Sequence, residues 1–344
     1  MRNLTATLCV TIAVLFGSAG VSWSQDFQKG VAAYESGDFA TALREWTPLA
    51  EQGNADAQYN LGVIYDTGQG VLQNNKTAMK WYRLAAEQGD SFAQLNLGNM
   101  YRKGKGVSQD FKATVKWYNL SAKQGNVFAQ YNLGNSYRRG EGVTQDPKTA
   151  VKWYRRAAEQ GDAHAQLNLG QMYRKGQGIP QDYKKALKWY KLAAKQGITP
   201  AQNNLGQMYD KGKGVPENDK TAVKWYRLAA EQEYADAQYN LGVMYANGQG
   251  VPQDYKTAVK WYKLAAEQGH VESQSNLGVM YYTGEGIIKD NIYAHMWLNI
   301  AGSSGKNKNV TKNRDIAAKN MTPSQLEKAQ DLARECVRKN YKGC

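Results

Sequence analysis

One period governs this chain. The pentapeptide Gln-x-Asn-Leu-Gly starts at Gln58, Gln94, Gln130, Gln166, Gln202, Gln238 and Gln274, a constant step of 36 residues. Tryptophan keeps the same step independently at Trp81, Trp117, Trp153, Trp189, Trp225, Trp261 and Trp297, with Trp46 placed 35 residues ahead of the first. Two unrelated markers in register define a repeat array, whose copies pack mainly on their neighbours. Composition agrees: 34 Gly, 23 Tyr and 9 Trp against 7 Pro and 6 Phe is the skew left by one local pattern used many times.

Each repeat spells two helices. The first runs through Leu61 to about Tyr65, two residues that share a face, and Gly62 between them lets another helix approach closely. Thr67-Gly68-Gln69-Gly70-Val71 is a turn whose glycines tolerate positive φ. The second helix opens behind Asn74, Asp110, Asp146, Asp182, Asn218, Asp254 or Asp290, side chains that accept the first free helix N–H groups. Ala78, Trp81, Tyr82, Ala85 and Ala86 then follow at helical spacing, and Gly89, Gly125, Gly161, Gly197 and Gly269 stop the helix. Glu233 stands where one such glycine belongs, which predicts a less regular turn. One hairpin cannot bury its apolar face, but stacked hairpins can. The predicted fold is all-α, a right-handed α-solenoid of helix-turn-helix repeats.

The ends depart from the pattern. Residues 1–24 combine Arg2, an apolar run over 4–16 and the small-x-small Ser22-Trp23-Ser24. The run is too short to span a bilayer comfortably, so the segment is expected to be a cleavable secretory signal peptide. The mature chain would then be periplasmic or secreted, with no transmembrane segment. Residues 25–54 are expected to form an N-terminal capping hairpin, 55–302 the seven repeats, and 303–344 a C-terminal cap with a basic tail. In that cap Thr322-Pro323-Ser324-Gln325 is a capping box with proline at the first helical position. Leu326, Ala329, Leu332, Ala333, Cys336 and Val337 make an apolar stripe behind it. Cys336 and Cys344 are the only cysteines left after cleavage, and an oxidising compartment would join them. A pair of reactive thiols is the alternative.

The motif A-x-A-Q-x-N-L-G-x-x-Y…G-x-G-V…A-x-K-W-Y-x-x-A-A, over about residues 27–302, resembles the SEL-one-like repeats, a 36-residue relative of the tetratricopeptide repeat. Ala33-Tyr34, Gly37 to Ala40, Ala42-Leu43 and Trp46 are more similar to a plain tetratricopeptide unit. The resemblance implies a scaffold that presents a concave groove to a protein or peptide. Exported members of the family act as adaptors in envelope signalling or host contact. Cysteine-rich members carry a disulfide in each repeat and are linked to β-lactam chemistry; this chain has no such pairs in its repeats. A hydrolase of cell-wall or β-lactam material is the alternative from a different class.

Motifs for chemistry are missing. The Gly-x-Gly pairs recur at one place in every hairpin without the Gly-Lys-Ser/Thr of a phosphate loop. His164, His270 and His295 occupy different repeats and different hairpin positions, so no shared metal site is expected. No cofactor and no catalytic residue is assigned, and most carboxylates sit at helix caps or in the Ala-Glu-Gln-Gly helix ends.

Positions kept in every repeat are explained by stacking, including Leu61, Gly62, Tyr65, Ala78, Trp81 and a ladder of amides at Asn60. Specificity should lie where repeats differ. Helical spacing puts Asp56, Tyr59, Val63 and Asp66 on one side of the first helix, the side that lines the groove in tetratricopeptide relatives. The next repeats place Phe92, Leu95, Asn99 and Arg102 there, then Phe128, Tyr131, Asn135 and Arg138, then His164, Leu167, Gln171 and Arg174. Aromatics supply buried area, amides bond a peptide backbone, and arginines fork onto carboxylates. This set suits an extended peptide with acidic residues or a free carboxylate. Lysines at Lys80, Lys116, Lys152, Lys188, Lys224 and Lys260, together with a net charge of +14, make an anionic surface or polysaccharide partner a further alternative. Nucleic acid is not expected, since an exported protein seldom meets it.

Overall fold

A computed structural model describes residues 18–303 and 308–344; most of the expected signal segment lies outside the described residues. Eighteen helices and no strand are present among them. The N-terminal pair is α1 (Ser18–Glu35) and α2 (Phe39–Glu51). The repeats follow as α3 (Ala55–Thr67) with α4 (Asn75–Glu87), α5 (Ser91–Lys103) with α6 (Phe111–Lys123), and α7 (Val127–Arg139) with α8 (Pro147–Glu159). Then come α9 (Ala163–Lys175) with α10 (Tyr183–Lys195), α11 (Thr199–Asp210) with α12 (Asp219–Ala230), and α13 (Ala235–Asn247) with α14 (Tyr255–Ala266). The last pair is α15 (Val271–Thr283) with α16 (Asn291–Gly302), capped by α17 (Lys308–Lys319) and α18 (Pro323–Arg338).

The chain forms two compact units, 1–153 and 154–344, and the division falls within α8. Inside each unit, consecutive repeat helices pack on one another, as an all-α solenoid requires, and α17 and α18 both pack on α16.

Three recurring contacts hold a repeat together. Gly98 lies flat against Tyr118, where a Cβ would come within 2.7 Å of the ring; Gly62 with Tyr82, Gly206 with Tyr226 and Gly242 with Tyr262 repeat the arrangement. These second-helix tyrosines are the most deeply buried of the large recurring side chains. Trp81, Trp117 and Trp189 are buried nearer the surface, while Trp225 and Trp261 are half-buried. Tyr65, expected in the core, is half-buried as well.

The second contact is an amide ladder. Gln58 Nε2 donates to the Ala50 carbonyl at 2.9 Å, closing the end of the preceding helix, while its Oε1 accepts from Gln88 at 2.7 Å. Gln94 with Gln124 does the same, as do Gln166 with Gln196 and Gln202 with Gln232 in the second unit. A buried amide satisfied at both ends costs little and sets the register of neighbouring helices. The expected asparagine ladder exists beside it in part. Asn96 faces the Tyr82 hydroxyl of the preceding repeat, Asn276 faces that of Tyr262, and Asn240 donates to Asn203 at 2.9 Å.

Third, the second turn glycine of a repeat rests on the first turn of the preceding second helix: a Cβ on Gly106 would lie 2.5 Å from the Asn75 carbonyl oxygen.

The predicted caps are in place, from Asn74 accepting from Lys76 and Thr77 to Asp290 accepting from Ile292 and Tyr293. The turn at Glu233 differs from expectation. It keeps the geometry of its glycine counterparts, with Tyr234 N–H bonded to the Ala229 carbonyl at 3.2 Å, and Glu233 itself takes the left-handed φ of 61°. The strain is local.

At the ends, the described span of α1, Ser18–Glu35, runs through the expected cleavage point. The capping box at Thr322 and Gln325 forms, and α18 packs on α16. Cys336 is bonded to Cys344, and it is buried with Tyr262, Met280, Met296 and Trp297. Asn340 and Tyr341, both at positive φ, turn the tail back so that Tyr341 meets Gly269.

Candidate partner-binding face

The first helices present the residues that change between repeats. In the first unit, Phe92 is half-buried near Tyr59, with ring centres 6.2 Å apart, and Tyr59 in turn lies 6.0 Å from Tyr82. Phe128 is the most open of these aromatics, 58% exposed, and Tyr131 is half-buried. Asn99 accepts a hydrogen bond from the Tyr118 hydroxyl at 2.6 Å. Burial pushes that phenol up, and the Arg102 guanidinium beside it pulls the other way. Arg102 therefore stands on a platform of Asn99 and Tyr118, yet its Nε is buried with no hydrogen-bond partner. Arg138 occupies the same position one repeat on, half-buried near the surface, and Asn135 is half-buried.

One side of this face is acidic. Asp56 and Asp90 are both raised by burial, and Asp90 further by the charge of Asp56. Asp66, in the row of Arg102 and Arg138, faces Lys105 at 3.7 Å. The face of the first unit thus changes from carboxylates to guanidinium groups along successive repeats.

In the second unit, His164 is exposed, and Gln171 and Arg174 are half-buried. Arg174 repeats the motif of Arg102: its Nε is buried without a partner, and it lies beside Tyr190, whose hydroxyl burial pushes up to about 12. Beyond it the row reverts to carboxylate, where Asp210 accepts from the Tyr226 hydroxyl at 3.3 Å. Farther along, His270 stacks on Tyr239, 4.9 Å between ring centres, with Nε2 3.5 Å from Asp236.

Two members of the predicted set are corrected. Leu95 is 8% exposed and packs with Tyr118, Ala122 and Leu133, and Leu167 is 9% exposed. Both sit one residue after the buried ladder glutamine, on the inward side of the stripe, so their area is spent on the core. The set also crosses the division of the chain, with Phe92 to Arg138 in the first unit and His164 to Arg174 in the second. Sequence reasoning missed Tyr118 and Tyr190 as supports of the arginines. Their signal was the Lys-Trp-Tyr triplet: a tyrosine so regularly buried must bring its hydroxyl to a partner. The capping carboxylates are ordinary; Asp146 and Asp254 are held low first by the hydroxyls of Thr149 and Thr257, then by backbone N–H groups.

A family model described as the Sel1 repeat matches residues 55–90, 91–126, 127–162, 163–198, 199–234, 235–270 and 271–306. The chain belongs to the Sel1 repeat family. It is 34% identical to a Sel1 repeat protein from Oxalobacter formigenes over 71% of this chain and 96% of that one, with a TM-score of 0.63. It is also 31% identical to c5321, a protective antigen of uropathogenic Escherichia coli with an SLR fold, over 94% of this chain and 86% of that one, at a TM-score of 0.48. No curated protein matches the chain. Sel1 repeat proteins are in general protein-interaction scaffolds. In this Sel1 repeat protein no described helix is long and apolar enough to cross a membrane. No cluster of His, Cys, Asp or Glu among the described residues is arranged to hold a metal ion.

Proposed function

We propose that this Sel1 repeat protein is an exported, non-enzymatic scaffold whose first-helix face in the first unit captures an acidic segment of a protein or peptide. The observation that carries this reading is Arg102. Its guanidinium is held beside Asn99 and Tyr118 while the residue stays half-exposed, so a carboxylate arriving at the open part of the side chain can pair with its terminal N–H groups. Phe92 and the open ring of Phe128 supply apolar area on the same face, and Arg138 a second cation one repeat on. Export is supported by the signal-like segment at 1–24 and by a disulfide that suits an oxidising compartment; cell fractionation tests it.

An array of extended peptides with and without Asp/Glu pairs or a free carboxylate, probed with the full chain, tests the site. Acidic peptides are expected to be retained over neutral ones, and Arg102→Glu with Arg138→Glu to abolish the difference. Equal retention of neutral peptides, or no effect of the double exchange, would refute the reading.

A further inference from the structure

The outer faces of the second helices in the second unit carry a pattern that the first-helix face lacks. Lys184, Lys188 and Leu192 stand at successive four-residue steps of α10 and so form one exposed stripe. In α12 the stripe is Lys220, Lys224 and Leu228; in α14 it is Lys256, Lys260 and Leu264, all exposed. The stripes keep lateral register, because Gly250 rests on the first turn of α12 at Asp219 and Gly286 on the first turn of α14 at Tyr255, as Gly214 does on α10 at Tyr183.

The result is two rows of lysines beside a row of leucines. The ion pairs on these helices use other lysines, Lys185 with Asp182 and Lys263 with Glu267, and none of the six row lysines pairs with a carboxylate among the described residues. Lys188 and Lys260 lie instead over Trp189 and Trp261, 5.3 and 5.9 Å from the ring centres. Leu228 keeps 45% of its surface open. Glu217, Glu231, Glu233 and Asp254 are exposed carboxylates at the ends of these helices, outside the two lysine rows.

A peptide site needs different chemistry at successive steps. Here every step offers the same two cations and one apolar group, which matches a partner that is negative and uniform along its length. We propose that this outer face docks on an anionic lipid surface. The lysines meet headgroup phosphates, and the leucines enter the boundary between headgroups and acyl chains. A soluble polyanion would engage the lysines alone and leave the leucines in water, so the leucine row favours lipid. Docking of this kind needs no helix that crosses the bilayer.

Sedimentation of the full chain with vesicles tests the proposal, using equal parts phosphatidylcholine and phosphatidylglycerol against phosphatidylcholine alone. The chain is expected to bind the mixed vesicles, to release them as salt rises, and to ignore the neutral ones. Exchanging Lys184, Lys188, Lys220 and Lys224 for Gln is expected to cost about fivefold in partition per lysine. The triple exchange Leu192→Ser, Leu228→Ser, Leu264→Ser is expected to cost about tenfold with helix content unchanged; should that variant lose helix content, the lysine set decides. Arg102→Glu with Arg138→Glu is expected to leave vesicle binding intact, which separates this proposal from the peptide site. Absence of binding to the mixed vesicles, equal binding to both kinds, a folded leucine variant that binds like the parent, or soluble polyglutamate bound as tightly as the vesicles would overturn it.

Discussion

The first and second helices of each repeat come from the same thirty-odd residues but expose opposite kinds of surface. Along the first helices the row at Asp66, Arg102 and Arg138 changes sign within the first unit, and Arg174, Asp210 and Ala246 change it again in the second. Along the second helices Lys184, Lys220 and Lys256 do not change at all, nor do Lys188, Lys224 and Lys260. The interior explains how both are possible. Cohesion is assigned to inward positions, namely the glycine–tyrosine contact, the glutamine ladder and the turn glycine on the preceding helix, so outward positions are free either to vary or to repeat. Variation suits a partner with a sequence of its own, repetition one without.

The largest expected effect comes from breaking what the two faces share. Gly98→Val would drive side-chain carbon into Tyr118 and is expected to lower stability by about 3 kcal/mol. Circular dichroism during urea unfolding should show the loss, and peptide binding in the first unit should fall with it. Next is the C-terminal cap, which belongs to neither face. Cys336→Ser with Cys344→Ser removes a short loop constraint of about 2–3 kcal/mol. Hydrogen exchange is expected to quicken in α18 and the end of α16 while α3 to α6 are unmoved.

A pH effect sharpens the same contrast. His295 is buried in α16 with its Nδ1 unpartnered, and burial followed by the Arg314 charge lowers its pKa from 6.5, partly offset by Asp315. The fold therefore favours the neutral ring. Its contribution is fully present above pH 6.5 and is lost as pH falls through that value toward the lower folded one. Unfolding midpoints should drop over this window, and His295→Gln should flatten the drop. The smallest effect is on the varying face: Arg102→Met removes a buried unpartnered donor and is expected to raise stability by about 1 kcal/mol, by urea titration.

The repeat and its caps were legible in the sequence because a fixed step exposes every position that must be the same. The deep role of Tyr82 and the glutamine ladder was visible as periodicity but not as geometry, since Gln58 and Gln88 lie 30 residues apart and meet only after stacking. Periodicity also misplaced Leu95. It occupies the surface-facing row by spacing, yet the neighbouring helix covers it, and helix-to-helix coverage has no signature within one helix. Glu233 shows the converse, where a residue that should break a turn is carried by hydrogen bonds on either side.

The central claim is that cohesion and recognition occupy separate positions, and a transplant tests it most directly. Phe92→Asp with Arg102→Ala gives the second full repeat two of the outward residues of the sixth, Asp236 and Ala246, and replaces no fully buried residue. Urea unfolding and acidic-peptide binding would be measured on the same sample. An unfolding midpoint that stays in place while peptide binding disappears is the predicted result. A midpoint that collapses, or peptide binding that survives the exchange, would contradict it.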